Sequence, residues 1–190
     1  MRVPSLMLIG LVALFVPHAA AQSSTTSGAP EVFNVNAQAK GEVGAGAATF
    51  QIHIQRYTPD FDRTAVETAL KHGGYQAFVT ALRKAPEVGY VSAGERKFPI
   101  RWAREQKTAK GRTIVLVTDT PVFFVGGASA AAKPRAGYDV AVIQLMVDDI
   151  GLGSGTMAGA ARVKPGGESG VQIDDYAEKP ITLVTVRRML

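Results

Sequence analysis

The chain has 190 residues and no cysteine, which excludes disulfides, thiol catalysis and a lipid-modified cysteine. Its 21 Lys and Arg stand against 16 Asp and Glu, a net charge of +5 that is too modest to argue for nucleic-acid binding. Residues 1–21 carry a single charge, Arg2, an apolar run over 6–16 and alanines at 19–21 before Gln22, the pattern of a secretory signal peptide.

That apolar run is too short for the roughly 20 residues a spanning helix needs, and no later stretch approaches that length, so no membrane span is expected. Removing 21 of 190 residues leaves 169, and losing Arg2 leaves 20 basic against 16 acidic residues, a net of +4. This length suits one domain with a full core. The expected organisation is a signal peptide over 1–21, a flexible leader over 22–30 and a single β-rich domain over 31–190, in a periplasmic or secreted protein.

In chain order, residues 31–39 contain Val32, Phe33 and Val35 and predict a first strand, followed by a glycine-rich turn. Residues 49–57 alternate, with Phe50, Ile52 and Ile54 on one face and Gln51, His53 and Gln55 on the other, which aims His53 away from the core. Asp62 stands where an N-cap belongs, ahead of apolar positions at Val66, Ala69 and Leu70 and then Phe78, Ala81 and Leu82. Gly73 and Gly74 interrupt that stripe, so two short helices with a break are expected, ending at Pro86.

Strand signals follow at 88–93, 97–105, 113–117, 122–125, 139–147, 155–163, 171–176 and 181–186. In 97–105, Phe98, Ile100, Trp102 and Arg104 share one parity, so an unbroken strand aims Arg104 inward, where it needs a carboxylate or an anionic ligand. In 139–147, Val140 and Val142 face one way and Ala141, Ile143, Leu145 and Val147 the other, so both faces are covered. The next strand is stripped to Ala158, Gly159, Ala160 and Ala161, which leaves space above it for the helical pair or for a ligand. Residues 126–137, rich in small residues, read as a mobile lid-like loop. The fold class is α+β, mostly antiparallel β: a curled sheet or barrel of about 8–10 strands, with a short helical pair inserted after the second strand.

Candidate chemistry is sparse. Only His53 and His72 remain after signal removal, so no metal site is expected. G-L-G-S-G around Ser154 has its serine one place too late for a nucleophile elbow and no helix behind it. Asp148–Asp149 and Asp174–Asp175 could serve acid and base chemistry only if they converge across a cleft. No catalytic set assembles and no cofactor is called for, so the reading leans away from an enzyme. Nine Lys and Arg between Arg83 and Arg112 outnumber three acids, which suggests a basic surface.

H-G-G-Y-Q-A-F-V-T-A-L (72–82), F-P-I-R-W-A-R-E (98–105), R-T-I-V-L-V-T-D-T-P (112–121), G-L-G-S-G (151–155) and D-D-Y-A-E-K-P-I-T-L (174–183) occur in this order. Together they resemble a family of uncharacterised exported bacterial proteins with no assigned activity. The resemblance implies an exported compartment and a shared domain, and it transfers no catalytic residue.

The sequence therefore predicts an exported, non-catalytic binding domain that holds a small apolar or amphipathic ligand in a barrel interior. The ligand-binding candidates are Trp102, Arg104, Met157, Ala158, Gly159 and Ala160. The alternative partner is an anionic envelope component met by the basic surface, and a small hydrolase or isomerase with a carboxylate pair ranks last.

Overall fold

The computed structural model describes residues 30–41, 44–123, 135–167 and 169–189. Among the described residues nine strands and one helix follow in the order β1 (Glu31–Gly41), β2 (Gly44–Ile54), α1 (Asp60–Lys84), β3 (Gly89–Ala93), β4 (Arg96–Thr108), β5 (Gly111–Thr118), β6 (Val140–Val147), β7 (Leu152–Pro165), β8 (Val171–Tyr176) and β9 (Ile181–Met189). Every strand pairing is antiparallel.

Strands β1 to β6 form a meander, β6 pairs with β7, β7 with β9, and β9 returns to β1, which closes an eight-stranded barrel. Strand β7 makes this closure possible because it is long enough to serve two partners on one edge. Its first half, from Leu152 to Met157, pairs with β9, and its second half, from Ala161 to Pro165, pairs with β8. Strand β8 thus stands outside the barrel as the second arm of a hairpin.

Alternation along the strands sorts the apolar residues into two cores. One fills the barrel and joins Phe33, Ile52, Phe98, Ile114, Ile143 and Met157 with interior residues of the remaining barrel strands. Eight strands leave an interior just wide enough for such side chains to fill. The other core lies outside the wall, where α1 places Val66, Leu70, Phe78 and Leu82 over Trp102, Val115, Val117, Val142, Ala158 and Ala161. The two-faced burial expected for β6 is realised, with Ala141, Ile143, Leu145 and Val147 in the barrel and Val140 and Val142 beneath the helix.

The expected helical pair is one element broken at Gly74, whose φ of 72° and ψ of −166° are not helical. Only glycine adopts such a conformation without steric cost, so the break sits where the sequence has no Cβ. Asp62 lies in the first turn beside Asp60 and does not cap, since Pro59 is the N-cap; the carboxylates instead suit the positive end of the helix dipole. Ala85 is extended ahead of Pro86, which ends the helix.

One expected strand differs. Pro121 to Phe123 is not strand; Val122 instead enters the barrel core and donates its N–H to the Gly159 carbonyl at 2.8 Å. Residues 124–134, which include most of the lid-like loop expected over 126–137, lie outside the described residues, as do the signal peptide and most of the leader.

Candidate functional site

The barrel has one covered wall and one bare wall. Helix α1 and the β7–β8 hairpin close over β4 from Trp102 onward and over β5 to β7, burying Val163 and Val171 in the same cluster as Trp102 and leaving Lys97 at the start of β4 exposed. On the opposite side the outward positions of β9, β1, β2 and β3 are mostly polar, with Thr185 and Arg187, Asn34 and Asn36, Thr49, Gln51 and His53, and Tyr90 and Ser92, while Val32, Ala47, Val184 and Met189 are apolar. Inward partners such as Phe33, Val35, Phe50 and Ile52 anchor these strands, so alternation delivers the intervening side chains to the outer surface, with a bulge in β9 that leaves both Val184 and Thr185 exposed.

Register then aligns the polar residues across strands. Arg187 lies opposite Asn34, Asn34 opposite Gln51, Gln51 opposite Ser92 and Ser92 opposite Lys97, a transverse row of five. A parallel row joins Thr185, Asn36 and Thr49. An open groove of about 620 Å³ runs between them, lined by Asn34, Asn36, Thr49, Gln51, Ser92, Thr185 and Arg187, with Phe50 and Gly94.

Side chains on this wall hold one another in place. Gln51 Nε2 donates to Asn34 Oδ1 at 2.9 Å, Thr49 Oγ1 to Asn36 Oδ1 at 2.9 Å, and Asn34 Nδ2 to the Met189 sulfur at 2.9 Å. His53 Nε2 sits 3.2 Å from Gln51 Oε1, and its ring stacks on Tyr90 with centroids 4.3 Å apart and planes at 16°. Lys97 Nζ lies 4.7 Å from the Tyr90 ring centre. Partial burial and the charge of Lys97 hold His53 below its ordinary pKa, so it is mainly neutral at pH 7.

The residues singled out from the sequence fall in different environments. Met157 lies in the barrel core, Trp102 and Ala158 lie beneath α1, and Ala160 is buried. Gly159 is where Val122 crosses, since a Cβ there would meet the Val122 carbonyl oxygen at 2.5 Å. The small-residue surface is thus occupied by the helix and by the Val122 segment. Arg104 has its carboxylate partner: Glu67 of α1 stands 3.8 Å from Nη1. It keeps the parity of Trp102, but a register shift between Ile100 and Trp102 turns both residues outward, toward the helix.

The acid pairs lie apart, Asp148 and Asp149 just after β6 and Asp174 and Asp175 within β8. Asp148 Oδ1 accepts the N–H groups of Ile150 and Leu152 in the β6–β7 turn, while Asp174 pairs with Lys164 and Asp175 accepts the Tyr138 hydroxyl. No group of three potential metal ligands occurs among the described residues. The basic band is divided by ion pairs, since Arg83, Arg101, Arg104 and Arg112 each face a carboxylate. Glu31 closes one barrel end, bonded by Arg112, Arg188 and Tyr57. Its oxygens are fully engaged, which suits a structural tie better than a base.

Compared with protein-family models, with curated proteins and with solved structures, the chain matches none.

Proposed function

We propose that this protein is an exported, non-catalytic binding domain that works through the bare outer wall formed by β9, β1, β2 and β3. The observation that carries this reading is the division of the barrel surface. Apolar side chains fill the interior, helix and hairpin cover one wall, and the remaining wall presents a groove with pre-ordered amides and hydroxyls. A ligand inside the barrel would have to displace Phe33, Ile143, Met157 and their neighbours, whereas a ligand on the wall displaces only water. Side chains fixed by their neighbours lose little rotamer freedom on binding, which favours recognition.

Export rests on the sequence of residues 1–21 and on the resemblance to exported bacterial proteins. The periplasm or cell exterior is then the compartment, and the envelope is the nearest source of partners. Co-sedimentation of the exported protein with isolated envelope material tests the reading, with intact mass reporting removal of residues 1–21. The wild type should sediment, and a variant combining Asn34→Ala, Gln51→Ala and Arg187→Ala should remain in the supernatant. Equal sedimentation of the two would remove the wall as the binding surface, and an unprocessed mass would remove export.

A further inference from the structure

We propose that the bare wall binds an acidic polysaccharide, a chain of sugars carrying carboxylates, laid along the row Arg187–Asn34–Gln51–Ser92–Lys97. The proposal rests on the wall being the binding surface and adds the class of ligand. Register sets the row: the five residues occupy five adjacent strands, so at about 4.8 Å per strand its two ends are separated by roughly 19 Å along the sheet. A cation stands at each end and neutral hydrogen-bonding groups lie between them. Among the described residues neither Arg187 nor Lys97 is paired with a carboxylate, unlike Arg83, Arg101, Arg104 and Arg112.

The spacing selects a polymer. A small anion reaches one end of the row, while a chain with acidic groups at intervals reaches both and gains from the linkage. The middle of the row selects sugar. Asn34 and Gln51 are bonded to each other, which fixes their orientation, and the exposed Asn36 and Thr49 lie beside them. Amides and hydroxyls can donate and accept at once, which matches the hydroxyls of a saccharide. The guanidinium of Arg187 suits a carboxylate through paired N–H donors. Glu95, in the turn beside the groove, is offset by its neighbour Arg96, so the wall keeps its positive balance.

Nucleic acid, the other common polyanion, fits less well. Single strands bind by stacking bases on open aromatic faces. The aromatic rings of Tyr90 and His53 on this wall stack on each other, and Lys97 lies over Tyr90.

The test is a calorimetric titration of the exported protein with polygalacturonate oligosaccharides, with dextran of similar length as the neutral control. Vesicles containing anionic phospholipid and a single-stranded oligonucleotide serve as the other polyanions. Arg187→Ala combined with Lys97→Ala is compared with Lys107→Ala combined with Lys110→Ala, which removes the same charge from the β4–β5 hairpin around its turn. Polygalacturonate should bind and dextran should not. The wall variant should lose about tenfold or more in affinity and the turn variant less than about twofold, with most binding lost in 0.5 M salt.

Equal weakening by the two variants would overturn the row as the site. Wall-dependent binding of dextran, vesicles or oligonucleotide in preference to polygalacturonate would overturn the ligand class and leave the wall as the binding surface. Absence of polygalacturonate binding alongside wall-dependent sedimentation with envelope material would do the same. Absence of both would remove the ligand class and the wall together.

Discussion

The residue that ties the barrel shut is Glu31, at the start of β1 and only 7% exposed. Burial alone would raise its pKa, but hydrogen bonds from Arg112 and Tyr57 outweigh that and hold it below the ordinary carboxylate range. The sign of the pH effect follows. A carboxylate with a depressed folded pKa contributes stability that is complete above its unfolded pKa, near 4.3, and is lost as pH falls through the folded value. Replacing Glu31 by Gln leaves Arg112 with Glu105 alone and should cost about 2–4 kcal/mol at pH 7 in denaturant unfolding. The deficit relative to wild type should shrink by pH 3. A deficit that stays constant between pH 7 and pH 3 would assign the loss to packing instead of charge.

Among the elements, α1 is the one whose position decides what is covered. Its stripe meets Ala158 and Ala161, so the small residues of β7 are the footprint of the helix. Ala158→Leu should therefore overpack that contact and cost about 1–3 kcal/mol, while Thr156→Leu, exposed two residues earlier, should be close to neutral. Trp102, the sole tryptophan, lies beneath the helix and is fully buried, so its emission reports docking. A red shift in Ala158→Leu but not in Thr156→Leu is expected, and equal behaviour of the two variants would place the helix elsewhere.

Much at this level is legible in the sequence. The parity of Phe50, Ile52 and Ile54, the two faces of β6, the break at Gly74 and the stop at Pro86 are local signals that tertiary packing preserves. The direction of Trp102 and Arg104 is not legible, because a register irregularity in β4 reverses the parity after Ile100 and nothing in F-P-I-R-W-A-R announces it. The apolar run around Val122 is likewise ambiguous. It reads as strand because it is apolar, yet its burial comes from crossing Gly159 at the barrel core.

At the level of the whole molecule, closure has no local signature at all. It depends on β7 pairing with β6 on one edge and with both β8 and β9 on the other, a consequence of length that emerges only from register. The candidate wall is not legible in the sequence for a related reason. Asn34, Asn36, Thr49, Gln51 and Arg187 look like ordinary outward residues in their own strands, and only the pairing of five strands puts Arg187 and Lys97 at the two ends of one row. The alternation that exposes His53 and Gln51 is a usable signal, but it marks them as outward without marking their neighbours. The candidates that the sequence offers follow space and buried aromatics, and that space is filled by the helix and the Val122 segment.

A filled barrel with one working wall makes a prediction that a ligand-holding barrel does not. Assigned ¹H–¹⁵N spectra of the protein, recorded during titration with polygalacturonate oligosaccharides, measure this directly. The side-chain amide signals of Asn34, Asn36 and Gln51 and the backbone signals of Ser92 and Arg187 should shift together, while Ile143, Leu145 and Met157 stay in place. Shifts centred on those interior residues, with the wall unchanged, would contradict it.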